Sequence, residues 1–496
     1  MKDYSFGNYI CALRMGLGLS QFQLGTLVGV SDKAVSKWEN GDAKPRLSTC
    51  RRLAKVLGVD VNELLSCEQY VTIPARKELD KMNQELWLQA YERLKIYGEV
   101  PPAACWSRLS SEEAALRGTD AVQGFAVLGK IAEEAKRHNS AIIVGGALNS
   151  SFAAWLFGAT EVNPLPPHYR CPQCGKTEFV ADAADGFDLP LKKCACGADL
   201  IRDGHDIPWE GYAKQEQGAT YVELRVSEKF KPLAVRVLKA FYGGKAELLP
   251  VIMSEKGSNW SFERYVVMPA YKDSPKLAAD GFWHVDAETY WQWQERELTF
   301  SFICSAQLSG LQALAETTKT ALPDPLSLIN PQMIAALYAQ RQEKLAFITK
   351  VTDGKEDCDF DLLLRLDGLS HATGAWEENG EELVADGIAA FREVPAYRED
   401  IFNAIENKLR HCGARDNGLA LQVMEQARKA KFFKGGVPQD MEKLLLSLGL
   451  PEWYPGYLAK VQYLFPKGHG VAYLLVELIC QWYHINYPAA FAECMK

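Results

Sequence analysis

Asn163-Pro-Leu-Pro-Pro-His-Tyr169 leads into Cys171-Pro-Gln-Cys174-Gly and then Cys194-Ala-Cys196-Gly, and the stretch closes on Thr220-Tyr-Val-Glu-Leu-Arg-Val-Ser227. Two cysteine pairs, each followed by a glycine that permits a tight turn, form the pattern with which four thiolates hold one tetrahedral zinc ion. Four sulfurs close the shell and leave no position for water, so such a metal is structural. The alternative, four buried free thiols, leaves the pairing unexplained, although the second pair is one residue shorter than the usual spacing. Residues 166–210 therefore read as a zinc ribbon with Cys171, Cys174, Cys194 and Cys196 as ligands. The run after it alternates as a half-buried strand does, and so does Leu298-Thr-Phe-Ser-Phe-Ile303.

The wording around the ribbon is specific. Glu161-Val-Asn-Pro-Leu-Pro-Pro-His-Tyr169, Gly186-Phe-Asp-Leu-Pro190 and Asp203-Gly-His-Asp-Ile-Pro208 resemble the palm of the PolC type of bacterial replicative DNA polymerase, the C-family polymerase III alpha subunit. Gly124-Phe-Ala-Val127, Ser150-Ser-Phe152, Gly368-Leu-Ser-His371, Asp400-Ile401, Val423-Met-Glu425 and Phe465-Pro-Lys-Gly-His-Gly-Val-Ala-Tyr473 fall in that family's order. The resemblance covers roughly residues 90–492, with segments missing relative to the family.

Nucleotidyl transfer uses two metal ions that carboxylates must hold. In the family, the strand after the ribbon supplies an Asp-x-Asp pair and a later strand a third Asp. The matching positions here are Tyr221, Glu223 and Ser301, and the family's Ser-Arg-Gly-Ser turn aligns with Val144-Gly-Gly-Ala147. The resemblance therefore implies a degenerate polymerase site, a chain that is not an enzyme, and magnesium only if that site is active. Asp359-Phe-Asp361 reads instead as the acidic start of a helix running into Leu362-Leu-Leu364. Lys467 and His469 stand where the family places a basic, nucleotide-facing turn. The two alanines of the family's Phe-Pro-Lys-Ala-His-Ala are Gly468 and Gly470 here.

At 496 residues, 48% apolar and 24% charged, the chain can bury several cores. No leader and no bilayer-length apolar run is legible, so the expectation is a cytoplasmic protein without a membrane partner. Of the thirteen cysteines, the nine outside the ribbon are scattered, as in a reducing compartment. The net charge of −8 is unevenly spread: residues 1–66 carry nine basic against six acidic side chains, or +3, which leaves −11 for the remainder.

That basic segment resembles the phage-repressor or XRE-type helix-turn-helix. Ile10, Leu13 and Leu17 space one helical face, and Ser20 is placed to cap a second helix that Leu24 and Leu27 aim at the core. Gly29 ends it, and Ser31 caps a recognition helix from Asp32 to Glu39. Val35 and Trp38 face inward, whereas Asp32, Lys33, Ser36 and Lys37 lie outward, able to meet base edges. Gln21 is placed to touch a phosphate. Leu47–Leu57 and Val61–Leu65 complete a five-helix, lambda-repressor-like domain.

The expected architecture is multidomain. An all-α helix-turn-helix domain (1–69) and a linker helix (70–98) precede an α+β palm-like body (99–165 and 211–345) with the zinc ribbon (166–210) inserted. A mostly α-helical, fingers-like domain (346–496) follows. The aromatic-rich stretch Trp260–Trp293 reads as core. Three functions remain open. One is a sequence-specific DNA-binding regulator with a catalytically inactive PolC-like body, which the residues favour. The others are an active DNA-directed DNA polymerase and a protein that binds replication partners. Double-stranded DNA is the expected partner, and a homodimer is left open.

Overall fold

The computed structural model describes residues 4–17, 19–40, 42–59, 73–116, 119–215, 221–243, 246–254, 261–268, 282–285, 298–352, 357–413 and 417–495. The chain divides into two compact units. One holds Met1–Met82, Tyr242–Leu249 and Val267–Trp283, and the other Asn83–Phe241, Pro250–Val266 and His284–Lys496.

In the first unit, α1 (Tyr4–Gly16), α2 (Gln21–Val28), α3 (Asp32–Glu39) and α4 (Leu47–Leu57) pack together. Their boundaries follow the local chemistry. The Ser20 hydroxyl accepts from the Gln23 N–H while the Gln23 side chain accepts from the Ser20 N–H, so two orphan donors of α2 are satisfied reciprocally. Gly29 closes α2 at φ +74°, and the Ser31 hydroxyl accepts from the Ala34 N–H to start α3. Phe6, Ile10, Leu24, Val28, Val35, Trp38 and Leu53 form the core. Two expectations fail here. Leu17 is 52% exposed, because α1 ends at Gly16 and the residue falls in the turn beyond it, and Leu27 is 57% exposed, because Leu24 and Val28 are the side chains that α2 buries in the core. The helix expected over Val61–Leu65 lies outside the described residues.

The charged helix expected over Arg76–Tyr97 is α5 (Ile73–Arg93), continued by a 3₁₀ turn at Leu94–Tyr97. In the second unit, α6 (Ala103–Leu116) and α7 (Ala121–Arg137) lead to the sheet. Strand β1 (Ile143–Val144) pairs antiparallel with β5 (Tyr221–Val226), which runs parallel to β9 (Thr299–Cys304). On the far side of β9 lies β7 (Ser261–Met268), again antiparallel. The chain has two further strands, β6 (Glu247–Ser254) and β8 (Trp283–Val285). The cysteine-bearing segment is a separate three-stranded sheet of β2 (His168–Arg170), β3 (Thr177–Phe179) and β4 (Ile201–Asp203) in the order β3-β2-β4. Of the aromatic-rich stretch, Tyr265 is buried as core, whereas Trp260, Tyr290, Trp291 and Trp293 lie outside the described residues.

From α8 (Ala306–Thr318) onward the second unit is helical: α9 (Pro331–Lys344), α10 (Phe360–His371), α11 (Arg398–His411), α12 (Asn417–Arg428), α13 (Lys467–Asn486) and α14 (Pro488–Cys494). The leucines of α10 and α13 are buried in one large core. Arg341 of α9 fastens them together, holding Asp367 of α10 at 2.8 and 3.0 Å and also bonding to Glu477 of α13. Asp359 accepts from the Leu362 N–H as the cap of α10, and buried Asp361 pairs with Arg365 and Arg392, so both residues serve the helix start as their spacing implied.

Candidate functional site

The exposed edge of α3 presents Asp32, Lys33 and Lys37, with Ser36 half-buried beside them. The Asp32 carboxylate folds back to accept from the Lys33 N–H at 2.8 Å. Behind this surface, Glu39 receives Arg14 Nε and Nη2 at 2.6 and 3.0 Å and Gln21 Nε2 at 2.7 Å. This buried carboxylate ties α1, the start of α2 and the end of α3 into one frame and raises the pKa of Arg14. Gln21 was expected at a phosphate; in this structure its amide is held by Glu39.

The second assembly is built on the sheet. β5 alternates, so Tyr221, Glu223 and Arg225 share one half-buried face while Val222, Leu224 and Val226 are buried on the other. The parallel register sets Glu223 opposite Ser301, about 5 Å away across the ladder, and Ser301 in turn faces Arg264 on β7. Tyr221, Glu223 and Ser301 therefore meet on one face of the sheet. Arg225 Nε donates to Glu223 Oε1 at 3.2 Å, and the Arg264 guanidinium lies 5.4 Å from the Tyr221 ring centre. Gly145 packs close to this carboxylate: a Cβ on it would come within 2.7 Å of Glu223 Oε1 and make that side chain move.

The start of α13 closes over this face. The Gly146 N–H donates to His469 Nδ1 at 3.2 Å, His469 packs on Tyr473 and Phe465, and Arg225 lies over the Tyr473 ring. Burial, helped by Arg225, His371 and Arg398, pushes the His469 pKa down to about 4, which keeps the imidazole neutral and its Nδ1 an acceptor at pH 7. Lys467, by contrast, is buried: its Nζ donates to the His205 carbonyl at 2.8 Å and its N–H to Glu399 Oε2 at 2.8 Å. Glycine at 468 and 470 has a steric reason. A Cβ would lie 2.7 Å from Asn149 Cβ at the first and 2.2 Å from Tyr397 Oη at the second. Arg225 was legible in principle, two residues beyond Glu223 on an alternating strand. Arg264 was not, since its place depends on strand order.

In the ribbon, Sγ of Cys171 lies 3.5 Å from that of Cys196, and Cys174 Sγ 3.7 Å from Cys194 Sγ. All four sulfurs fall within 4.8 Å of one another. Tetrahedral metal–thiolate bonds of about 2.3 Å place sulfurs roughly 3.8 Å apart, so the cluster fits a single metal ion. Backbone N–H groups of Cys174 and Gln173 lower the pKa of Cys171 to about 6, whereas the neighbouring thiols of Cys171 and Cys194 raise those of Cys174 and Cys196, so the four sulfurs do not ionise alike until a metal binds.

Fold and site together define a unit of four packed helices in the helix-turn-helix arrangement and a second unit built on a mixed sheet with a four-cysteine ribbon. Residues 12–64 match the helix-turn-helix family model HTH_3. The chain is also similar to proteins described as DNA polymerase III PolC-type. That of Lacticaseibacillus paracasei is 27% identical over 486 residues, covering 83% of this chain and 32% of the relative. The Thermotoga petrophila protein is 28% identical over 503 residues, covering 87% and 36%. The Staphylococcus saprophyticus protein is 26% identical over 500 residues, covering 84% and 33%. The chain thus spans about a third of the length of the curated relatives it matches. Those relatives are described as DNA polymerases, which overturns the expectation that the chain is not an enzyme. That expectation counted carboxylates at three positions. Hard metal ions also accept hydroxyl, carbonyl and water oxygens, so the count alone does not decide what the face can hold. Among the described residues, no helix is long and apolar enough to cross a membrane.

Proposed function

We propose that this protein is a sequence-specific DNA-binding protein that brings a PolC-like body to chosen duplex sites, with transcriptional regulation as the use of that selectivity. The capped recognition helix α3, which exposes Asp32, Lys33 and Lys37 from a rigid frame, carries this reading. Lys33 and Lys37 donate to guanine or phosphate oxygens, and Asp32 accepts from a cytosine amino group. Two copies would set their recognition helices about 34 Å apart on a pseudo-palindromic site. Selection from a random duplex pool with the full chain tests it. A preferred sequence is expected, and Lys33→Ala or Lys37→Ala relaxes the preference at one position by about 1–3 kcal/mol. Recovery of no preferred sequence refutes it.

A second reading is supported by the relatives' description and by the meeting of Glu223 and Ser301 on one sheet face: DNA-directed nucleotidyl transfer by the body. Glu223 would then supply a carboxylate ligand to magnesium, and the half-buried Arg225 beside it would meet a phosphate oxygen. Primer extension in magnesium or manganese is the assay. Template-dependent incorporation that Glu223→Ala abolishes supports this reading, and incorporation no greater than a no-protein control removes it. In the ribbon, the metal we assign is zinc, in a structural role, because four thiolates leave no open position.

A further inference from the structure

The second unit contains a cavity of about 410 Å³ that neither the sheet face nor the ribbon uses. Its walls come from α7, β1, residues 158–162, residues 321–325 and α13. The helix α13 serves both sides. His469 and Tyr473 turn to the Glu223 face, while Leu475, Val476 and Ile479 turn into the cavity, where Ile143, Val162 and Leu322 meet them.

The polar groups at this cavity already have partners in the protein. Asn139 donates to the Thr320 carbonyl at 2.9 Å and accepts from the Leu322 N–H at 2.6 Å. Ser140 pairs with Ser227, and Thr160 donates to Asn149 Oδ1 at 2.6 Å. Lys136 is in an ion pair with Glu161 at 2.6 Å, and Asp324 accepts from the Leu326 N–H. The pocket opens to solvent at its rim and its wall is mainly apolar, so an apolar molecule that enters displaces water the wall holds poorly. The rim carries one cation against two carboxylates, which disfavours an anion. The volume lies at the small end of small-molecule sites, too small for a folded segment.

We propose that this cavity binds a neutral, apolar small molecule of one or two rings, recognised by shape and burial with few hydrogen bonds. The test uses the full chain with indole as the probe and benzoate as its anionic counterpart, read by saturation-transfer NMR and thermal unfolding. Indole is expected to receive saturation and to raise Tm dose-dependently, by about 1 °C at ten times its Kd, as mass action requires. Benzoate is expected to do neither. Val476→Phe fills the cavity from α13, and Ala132→Phe fills it from the half-buried face of α7. Each is expected to cut the indole signal about tenfold, by removing the space and its apolar contacts. Ala132→Phe decides alone if Val476→Phe fails to fold. No indole signal, a signal unchanged in the folded variants, or equal binding of benzoate overturns the proposal.

Discussion

His469 and Asp188 show how placement changes a side chain's chemistry. The folded state holds His469 neutral down to about pH 4, whereas the unfolded chain protonates near 6.5. Folding stability is therefore lost as pH falls through that window, on the order of 2 kcal/mol, as the Nδ1 acceptor for Gly146 becomes a donor. Asp188 has the opposite sign. Burial and the neighbouring Asp185 and Asp359 push its carboxyl up to about 7, so its contribution is full below pH 4 and lost as pH rises towards 7. Urea unfolding between pH 4 and 7 separates them: His469→Gln removes the acid-side loss, Asp188→Asn removes the neutral-side loss, and profiles parallel to wild type contradict the assignment. Glu112 is another such residue, fully buried. It accepts from Arg108 Nε at 2.7 Å, Ser151 Oγ and Phe152 N at 2.8 Å, and Ala153 N at 3.0 Å. Glu112→Ala strands four donors, one of them the Arg108 guanidinium, so a loss of about 3–5 kcal/mol is expected by chemical denaturation.

The ribbon is the element whose behaviour can be tested most directly. Its three strands are three residues each, too short to be stable alone, so a metal bound by the four cysteines would supply much of the local folding energy. Purified protein is expected to carry about one zinc per chain, and Cys171→Ser or Cys194→Ser to release it and lower Tm. Metal analysis of reduced protein that finds no zinc counts against the assignment. The helix-turn-helix was the element most legible in the sequence, because capping is written locally: Ser20, Gly29 and Ser31 stand within a few residues of the groups they satisfy. Leu17 was misplaced because periodicity does not mark where a helix ends, and Leu27 because it marks a face without stating how much of it neighbours cover.

Across the whole molecule, the charge is divided between a basic N-terminal segment and an acidic remainder. Non-specific duplex binding by the full chain is therefore expected to be weak, with a log–log salt slope of about −3 if some three phosphates are neutralised. Fluorescence anisotropy across 50–200 mM salt measures it, and a slope near zero would show that the basic segment does not make the contact. The sequence by itself determined the capped boundaries around Ser20, Gly29 and Ser31, the two alternating strands and the four-cysteine pattern, since caps, periodicity and ligand spacing act over a few residues. It also carried the PolC-like order of motifs. Only the tertiary structure decided that β9 runs parallel to β5 with Ser301 beside Glu223, that Arg264 joins them, and that Lys467 is spent on His205. It also decided that His469 reaches Gly146 and that glycine at 468 and 470 makes room for Asn149 and Tyr397. Those partners lie tens to hundreds of residues apart, and strand order and helix packing, set by burial of the whole core, bring them together.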